Sequence, residues 1–269
     1  MRLVEALALG ILQGVTEFLP ISSSGHLALT QAFFGHEPEG TLLFNVVVHL
    51  GTLCAILLVL RRRIAGLCRA LVSFLRPGEV SPELRTDRRW IGLIVVATIP
   101  TGIVGLSIRD YVEVMNHRPV WIGCAFLGTM LLLISADRAV RRERDADSMG
   151  MLDALWIGCA QSIGILPGIS RSGVTVTAAL WRGARSEVAV ELSILVSVPA
   201  IVAANALEIL RPGSALSGAA LAPVAVGFAA AFATGIFALR ALQWVVRQRR
   251  LLPFAIYCGL VGAGAIGFG

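Results

Sequence analysis

The chain has 269 residues, of which 56% are hydrophobic and only 15% are charged, and its mean hydropathy is +0.79. This apolar share exceeds that of an ordinary soluble domain, so the composition excludes that class and predicts an integral membrane protein. The net charge of +6 comes from arginine alone. Because the arginines lie between apolar runs, they indicate membrane orientation, and no nucleic-acid partner is expected.

The first apolar segment, residues 3 to 35, is interrupted near its middle by polar residues. The sequence EFLPISSSGHL places Glu17, Pro20, three serines and His26 inside an otherwise apolar run. A spanning helix needs about 20 mostly apolar residues, and neither half of this segment is long enough to cross alone. The pattern therefore predicts two half-helices joined at the break.

Six later runs are apolar and long enough to span a bilayer, one of them despite a single acid, Glu191. They are residues 41 to 60, 90 to 108, 119 to 136, 188 to 207, 212 to 239 and 251 to 269. The sequence IAGLCRALVSFLR, residues 64 to 76, instead predicts an amphipathic helix on the inner membrane surface. We therefore expect an all-α membrane protein with about six transmembrane helices.

Arginine is concentrated in four connections between the apolar segments. Eight arginines lie between 61 and 89, four between 138 and 144, two at 182 and 185, and four between 240 and 250. By the positive-inside rule these connections are cytoplasmic, and the arginine-poor connections are external. Both termini are consequently predicted to be external.

Residues 151 to 181 form a second broken apolar segment that matches the first. ALALGILQGVTEFLPISSSG and ALWIGCAQSIGILPGISRSG align at a constant offset of 148, which pairs Gln13 with Gln161 and Gly25 with Gly173. Self-similarity of this kind indicates an internal duplication.

Three full spans separate the two copies, and an odd number of crossings reverses the direction in which the second copy enters the membrane. The two repeats, residues 1–136 and 149–269 of a single membrane domain, are therefore predicted to have inverted topology. We interpret each broken segment as a re-entrant helix hairpin, one from each face. The hairpin tips should meet near the midplane, because irregular backbone at that depth is tolerated only inside a protein-walled cavity.

The polar residues at the two breaks predict an anion site. Serines can cap the second half-helix of each hairpin, and free N–H groups at a helix N-terminus attract anions. The second break, PGISRSGVT, adds Arg171, whose planar guanidinium suits phosphate. Glu17 and His26 offer a base, an acid or a metal ligand, none of which a passive anion site needs.

Structural interpretations of the same residues stay open. The serines can be helix caps alone, and His26 can be an interior histidine. Glu17 and Arg171 can be an ion pair that joins the two repeats. Asn45 and His49 share one face of the third segment, and whether that face reaches the cavity is open.

The motifs LQGVTEFLPISSSGHL, FNVVVHLGTLCAI and LPGISRSGVTVTAALWRG resemble those of the bacterial undecaprenyl-diphosphate phosphatases, membrane enzymes associated with bacitracin resistance. The resemblance covers essentially the whole chain. It implies a bacterial inner-membrane hydrolase that uses a divalent cation, Mg²⁺ or Ca²⁺, to remove the terminal phosphate of undecaprenyl diphosphate. Such an enzyme recycles the carrier lipid for cell-wall synthesis, and resistance follows because bacitracin binds the same lipid.

The resemblance also implies site residues. Glu17 falls on the second acid of the family's Glu/Gln-x-x-x-Glu element, with Gln13 in the first place, and this pair is the implied metal site. Many members have glutamate there, so the glutamine weakens any mechanism that needs two carboxylates. His26 falls on the family's essential histidine. The substrate-binding residues predicted from the two hairpins are Ser22, Ser24, Gly25, Gln161, Ser170, Ser172, Gly173 and Thr175.

In the resulting hypothesis Arg171 clamps the diphosphate, Glu17 holds the cation or orients the attacking group, and His26 is a general acid/base. Ser23, activated by His26 or Glu17, is the candidate nucleophile, and direct attack by His26 or by water stays open. The alternative function is a carrier or flippase for an anionic lipid, because inverted repeats are typical of secondary transporters. The oligomeric state is left open, with a homodimer as one option.

Overall fold

The computed structural model describes residues 1–36, 38–75, 81–139, 143–210 and 221–269, with backbone only for residues 38–40. Within these ranges the chain forms twelve α-helices, one short 3₁₀ helix (Ala146–Ser148) and no strand beyond a single bridge between Arg144 and Ala184. The α-helices are α1 (Leu3–Phe18), α2 (Ser23–Phe33), α3 (Pro38–Val59), α4 (Arg61–Ser73), α5 (Pro82–Ser107), α6 (Arg109–Asn116), α7 (Pro119–Asp137), α8 (Met151–Ile163), α9 (Arg171–Trp181), α10 (Ser186–Ile209), α11 (Leu221–Arg247) and α12 (Leu252–Phe268).

Five helices of the described residues, α3, α5, α7, α10 and α11, are long and apolar enough to cross a membrane. They correspond to five of the six predicted spans. The sixth prediction coincides with α12, which has 17 residues and is therefore about 26 Å long. Large apolar side chains such as Ile103, Leu131 and Leu260 are exposed, as expected of surfaces that face lipid. The protein is an all-α, multi-pass membrane protein.

Several predicted boundaries differ from the observed ones, and α5, for example, begins at Pro82 rather than at residue 90. α11 ends at Arg247, beyond the predicted end at residue 239, and begins at Leu221, while residues 211–220 lie outside the described part. The amphipathic segment predicted over residues 64 to 76 is α4, which begins at Arg61 and ends at Ser73. Arg88 of α5 connects α5 to the end of α4, because it donates a hydrogen bond to the Ser73 backbone oxygen at 2.5 Å.

Each predicted broken segment is a pair of short helices joined by a turn. Residues 19–22 join α1 to α2, and residues 164–170 join α8 to α9. Pro20 and Pro167 stand in these turns, where the missing N–H cannot continue a helix. The N-caps that follow are Ser22 and Ser170, and each hydroxyl accepts a hydrogen bond from the backbone N–H three residues later.

The first helix of each pair packs closely against a long helix. A Cβ at Gly14 of α1 would come within 2.5 Å of the Ala231 backbone oxygen of α11. Similarly, a Cβ at Gly158 of α8 would come within 2.3 Å of the Ala97 backbone oxygen of α5. Small residues thus allow the close helix contacts on which membrane proteins depend.

In each helix pair, α1 with α2 and α8 with α9, an acid near the start of the first helix contacts a basic side chain that follows the second helix. Glu5 of α1 lies 3.2 Å from the ring of His36, which follows α2. Asp153 of α8 accepts from Arg182, which follows α9, at 2.5 Å and from Arg144 at 2.9 Å. These contacts hold the open ends of each pair together and help to fix where the two turns lie.

Candidate active site

The two turns meet at Glu17, whose side chain is only 1% exposed. Arg171, the first residue of α9, donates to one carboxylate oxygen. Ser23, the first residue of α2, donates to the other oxygen at 2.5 Å, and the Gln13 amide donates to the same oxygen at 2.9 Å. One carboxylate therefore connects the N-termini of both second half-helices. These are charge-assisted hydrogen bonds, the strongest that side chains make.

The turns also contact each other through hydrogen bonds between backbone groups and serine hydroxyls. The Gly168 N–H donates to the Ser22 hydroxyl at 3.1 Å, and the Ser172 hydroxyl donates to the Leu19 carbonyl at 3.1 Å. A Cβ at Gly25 would lie 2.8 Å from the Gly168 nitrogen, so this approach requires a glycine. The two turns are therefore in direct contact.

Thr129 of α7 supports the second turn, and the sequence interpretation missed it. Its hydroxyl donates to the Gly168 carbonyl at 2.8 Å and accepts from the Ser170 N–H at 3.0 Å. The only sequence signal is a hydroxyl in an apolar span, which is common and therefore weak. Its hydrogen bonds show that α7 fixes the turn beside the Arg171 side of the site.

His49 brings α3 to the same carboxylate. Its Nε2 atom lies 3.8 Å from a Glu17 oxygen, and its Nδ1 atom lies 2.7 Å from the Asn45 backbone oxygen. A carbonyl only accepts, so Nδ1 carries a hydrogen and donates it. The side chain of Asn45 instead accepts from Gln31 at 2.6 Å. Of the two residues predicted on one face of this segment, His49 is the one at the site.

His26 has partners other than Glu17 and Arg171. Its Nδ1 atom lies 2.6 Å from the Ser22 carbonyl, to which it donates, and its Nε2 atom lies 2.7 Å from the Tyr257 hydroxyl. The ring also makes an edge contact with Phe126, with centroids 5.0 Å apart. The Ser23 hydroxyl, in contrast, donates to Glu17.

The remaining predicted substrate-binding residues are mostly occupied by contacts within the protein. Thr175 shares a 2.5 Å hydrogen bond with Ser193 of α10, and Ser24 lies 3.5 Å from the Ser22 hydroxyl. The Gly173 N–H donates to the cap hydroxyl of Ser170. Gln161 lies apart from this cluster, because its amide donates to Thr101 of α5 at 2.9 Å.

A narrow cleft of about 10 Å³, with room for about one water molecule, lies beside the ion pair. Its lining mixes charged, hydroxyl and apolar side chains, namely Glu17, Phe18, Arg171, Ser172, Ser193, Ile194, Ser197 and Leu242. At the repeat offset of 148, Ser197 is the counterpart of His49. The cleft thus offers a guanidinium, a carboxylate and several hydroxyls to one ligand, a combination that suits a phosphoryl group.

The described residues contain no group of three or more histidine, cysteine, aspartate or glutamate side chains that would hold a metal alone. Oxygen donors for a hard cation are nevertheless present. The Gln13 side-chain oxygen is buried without a hydrogen-bond partner, and the amide nitrogen of the same side chain donates to the Glu17 carboxylate, which also accepts from the Ser23 hydroxyl. These oxygens fit Mg²⁺ or Ca²⁺ if phosphate oxygens complete the coordination.

Fold and site together define an α-helical membrane protein with a buried, phosphate-compatible polar centre. The model of the BacA family, bacitracin resistance protein BacA, matches residues 6–264, and the chain belongs to this family. A relative from Treponema denticola, named undecaprenyl-diphosphatase, is 40% identical over 98% of this chain and 96% of its own. Relatives of the same name from Syntrophotalea carbinolica and Carboxydothermus hydrogenoformans are 38% and 37% identical, each over 97% of this chain and over 97% and 95% of their own.

Proposed function

We propose that this protein is a phosphatase that removes the terminal phosphate of undecaprenyl diphosphate. The product, undecaprenyl phosphate, returns to cell-wall synthesis, and the same activity accounts for bacitracin resistance. The names of the relatives favour this function over the carrier or flippase alternative. The observation in the site that carries the proposal is the Glu17 carboxylate held between Arg171 and Ser23 at the contact of the two turns.

The proposed reaction begins with the Ser23 oxygen attacking the terminal phosphorus. Its proton passes to Glu17, which is supported by the 2.5 Å separation. The bond between the terminal phosphorus and the bridging oxygen breaks, and undecaprenyl phosphate leaves. Water then cleaves the phosphoserine ester and releases inorganic phosphate. Because Ser23 contacts Glu17, we assign the activating role to Glu17 rather than to His26.

Arg171 and the half-helix N-termini neutralise the phosphoryl charge in this proposal. Glu17 and Gln13 are the proposed ligands of a divalent cation, Mg²⁺ or Ca²⁺. Such a cation would neutralise diphosphate charge that one arginine leaves uncompensated. His26 is proposed as a second acid/base group on the family resemblance, and in the structure its Nδ1 and Nε2 atoms are bonded to the Ser22 carbonyl and the Tyr257 hydroxyl.

For the membrane arrangement we propose the inverted repeat with two re-entrant hairpins whose tips meet near the midplane. Two pairs of contacts support it, and in each pair the hairpin residues are related by the offset of 148. Gly10 lies against α11 and Gly158 against α5. Glu5 and Asp153 each bind the group that follows their hairpin. A diphosphate at this depth would enter laterally while its prenyl tail stays in lipid.

The proposed location is the bacterial inner membrane, with external termini, and the single domain comprises repeats 1–136 and 149–269. A homodimer remains a prediction. Light scattering on the detergent-purified protein tests it, with a protein mass of twice the chain mass of 28.5 kDa expected for the dimer.

Phosphate release from undecaprenyl diphosphate by the detergent-purified protein tests the function, with and without Mg²⁺ or Ca²⁺. We expect release by the wild type and a loss of at least about 100-fold in Arg171→Ala, because charge-assisted hydrogen bonds to phosphate are lost. Arg69→Ala, at an exposed arginine of α4, is the matched control and should retain wild-type activity. Robust activity in Arg171→Ala would reject the site. No release, together with lipid translocation in vesicles, would favour a carrier.

A further inference from the structure

The sequence interpretation gave no role to Tyr257, yet this residue reaches the first turn from the other end of the chain. Its hydroxyl lies 2.7 Å from Nε2 of His26, across a separation of 231 residues. The two rings are nearly parallel, with an interplanar angle of 5° and centroids 5.6 Å apart. α12 therefore places one phenol at the histidine of the first turn.

The hydrogen-bond partners fix which atom donates. Nδ1 of His26 faces the Ser22 carbonyl at 2.6 Å, and a carbonyl only accepts, so Nδ1 carries the hydrogen. In the neutral ring Nε2 then has a lone pair, and Tyr257 must donate its O–H to it. The phenol thus selects one of the two tautomers of His26.

The Nδ1–H tautomer of His26 allows the ring to donate to the backbone next to Ser23. Ser22 has a φ of 67°, an uncommon region for serine, and its carbonyl is the acceptor for His26. The next residue is Ser23, whose hydroxyl donates to Glu17 at 2.5 Å. A hydrogen-bonded path therefore runs from Tyr257 through His26 and the Ser22 carbonyl to the residue that starts α2.

The neighbouring contacts hold this path in place. Cys258, the residue after Tyr257, places its sulfur 3.9 Å from the Pro20 carbonyl in the same turn. Phe126 of α7 packs its ring edge-to-face with His26, with centroids 5.0 Å apart. α7 and α12 thus both pack against the first turn. From α12, the Tyr257 hydroxyl makes a hydrogen bond with His26.

We infer that Tyr257 is a positioning residue for the phosphatase reaction. It donates to Nε2 of His26 and holds the histidine in the tautomer that donates to the Ser22 carbonyl. This contact keeps the Ser23 hydroxyl within hydrogen-bonding distance of Glu17. The inference rests on the proposed function. It adds to the site a residue from the last helix, 231 positions from His26.

Tyr257→Phe tests the inference because it removes one oxygen and keeps the ring. Loss of one hydrogen bond that orients a reacting group should lower kcat about tenfold and leave KM within about twofold. The matched control is Tyr111→Phe, at the other tyrosine of the chain, which is exposed on α6, and it should behave as the wild type. Thermal unfolding of each variant reports folding independently.

Solid-state ¹⁵N NMR of protein labelled in its histidine rings gives the second readout. In the wild type we expect His26 as the Nδ1–H tautomer with a hydrogen-bonded Nε2, assigned by the signal that disappears in His26→Gln. This signal should move in Tyr257→Phe, and a purely packing role would not move it. Because the wild-type tautomer is measured directly, the test stands even if Tyr257→Phe does not fold.

A wild-type kcat in Tyr257→Phe, an Nε2–H tautomer in the wild type, or a lower kcat with unchanged ring signals would each overturn the inference. An inactive wild type would instead defeat the proposed function.

Discussion

Glu17 is a buried carboxylate, and the proposed mechanism assigns it the central role. An ionised side chain at the centre of a membrane helix costs about 2.5 to 3.5 kcal/mol on insertion scales. Arg171, Ser23 and Gln13 bind its two oxygens and offset that cost. Removing one partner of a buried ion pair leaves the other charge uncompensated and lowers the free energy of unfolding by about 3 to 5 kcal/mol. Substitutions at these residues should consequently affect activity and stability together.

Glu17→Gln should lower kcat/KM at least about 100-fold, because the amide neither accepts the proton of Ser23 nor balances the charge of Arg171. Phosphate release from undecaprenyl diphosphate measures this. Asp110→Asn, at an exposed acid of α6, is the control and should match the wild type. Unchanged kcat/KM in Glu17→Gln would mean that the carboxylate takes no part in the reaction.

Ser23→Ala should abolish activity to near the uncatalysed rate if Ser23 is the nucleophile, whereas loss of a phosphate donor alone would cost about tenfold. Rapid acid quenching followed by mass spectrometry of the wild type should detect phosphorylated Ser23. Ser24→Ala removes the adjacent hydroxyl, which lies near Ser22, and should cost much less. A wild-type rate in Ser23→Ala would show that water or His26 attacks directly.

Gln13→Glu should make activity depend more strongly on divalent cations. A second carboxylate would face Glu17 where the Gln13 amide now donates at 2.9 Å, so the two charges repel unless a cation lies between them. Titration of phosphate release with Mg²⁺ should show less activity in chelator and half-saturation at a lower concentration than the wild type. An unchanged Mg²⁺ dependence would argue against a cation at this pair.

At the scale of elements, close backbone contacts fix the positions of the two turns, and the short helices alone do not. Glycines allow backbones to approach at the turn contact and along α1 and α8. Hydropathy located the spans but not all of their ends, because helical hydrogen bonds continue where the apolar run stops. α11 accordingly extends past the predicted end at residue 239 to Arg247. The charged residues between 240 and 247 are therefore part of helix α11 but lie outside its apolar stretch.

Gly25→Ala should separate the two turns and lower both stability and activity. The added Cβ would meet the Gly168 nitrogen and the Phe126 ring at 2.8 Å, and overpacking of this kind costs about 1 to 3 kcal/mol. Thermal unfolding in detergent and phosphate release measure the two effects. In Gly102→Ala the Cβ meets nothing within 4 Å, so this control should unfold like the wild type. Equal unfolding temperatures for both variants would contradict the packing.

At the scale of the whole molecule, charge and hydropathy make a topology prediction that the helices alone do not test. Reporters fused after residues 63 and 145 should both be cytoplasmic, because the arginine-rich connections lie there. A reporter fused after Gly269 should be external. Alkaline phosphatase and fluorescent-protein fusions give opposite signals on the two sides. A cytoplasmic signal after Gly269 would invalidate the predicted orientation.

The sequence by itself determined the membrane class, the approximate spans, the two broken segments and the family, because apolar length, proline breaks and long motifs are local properties of a chain. It also indicated Glu17 and Arg171, since charged residues in apolar runs are conspicuous. The partners of these residues depended on tertiary structure. Whether Ser23 faces Glu17 or His26, whether His49 reaches the site, and that Thr129 and Tyr257 support the turns were decided by packing. Such contacts join residues far apart in sequence, and no local pattern encodes their distances or hydrogen-bond directions.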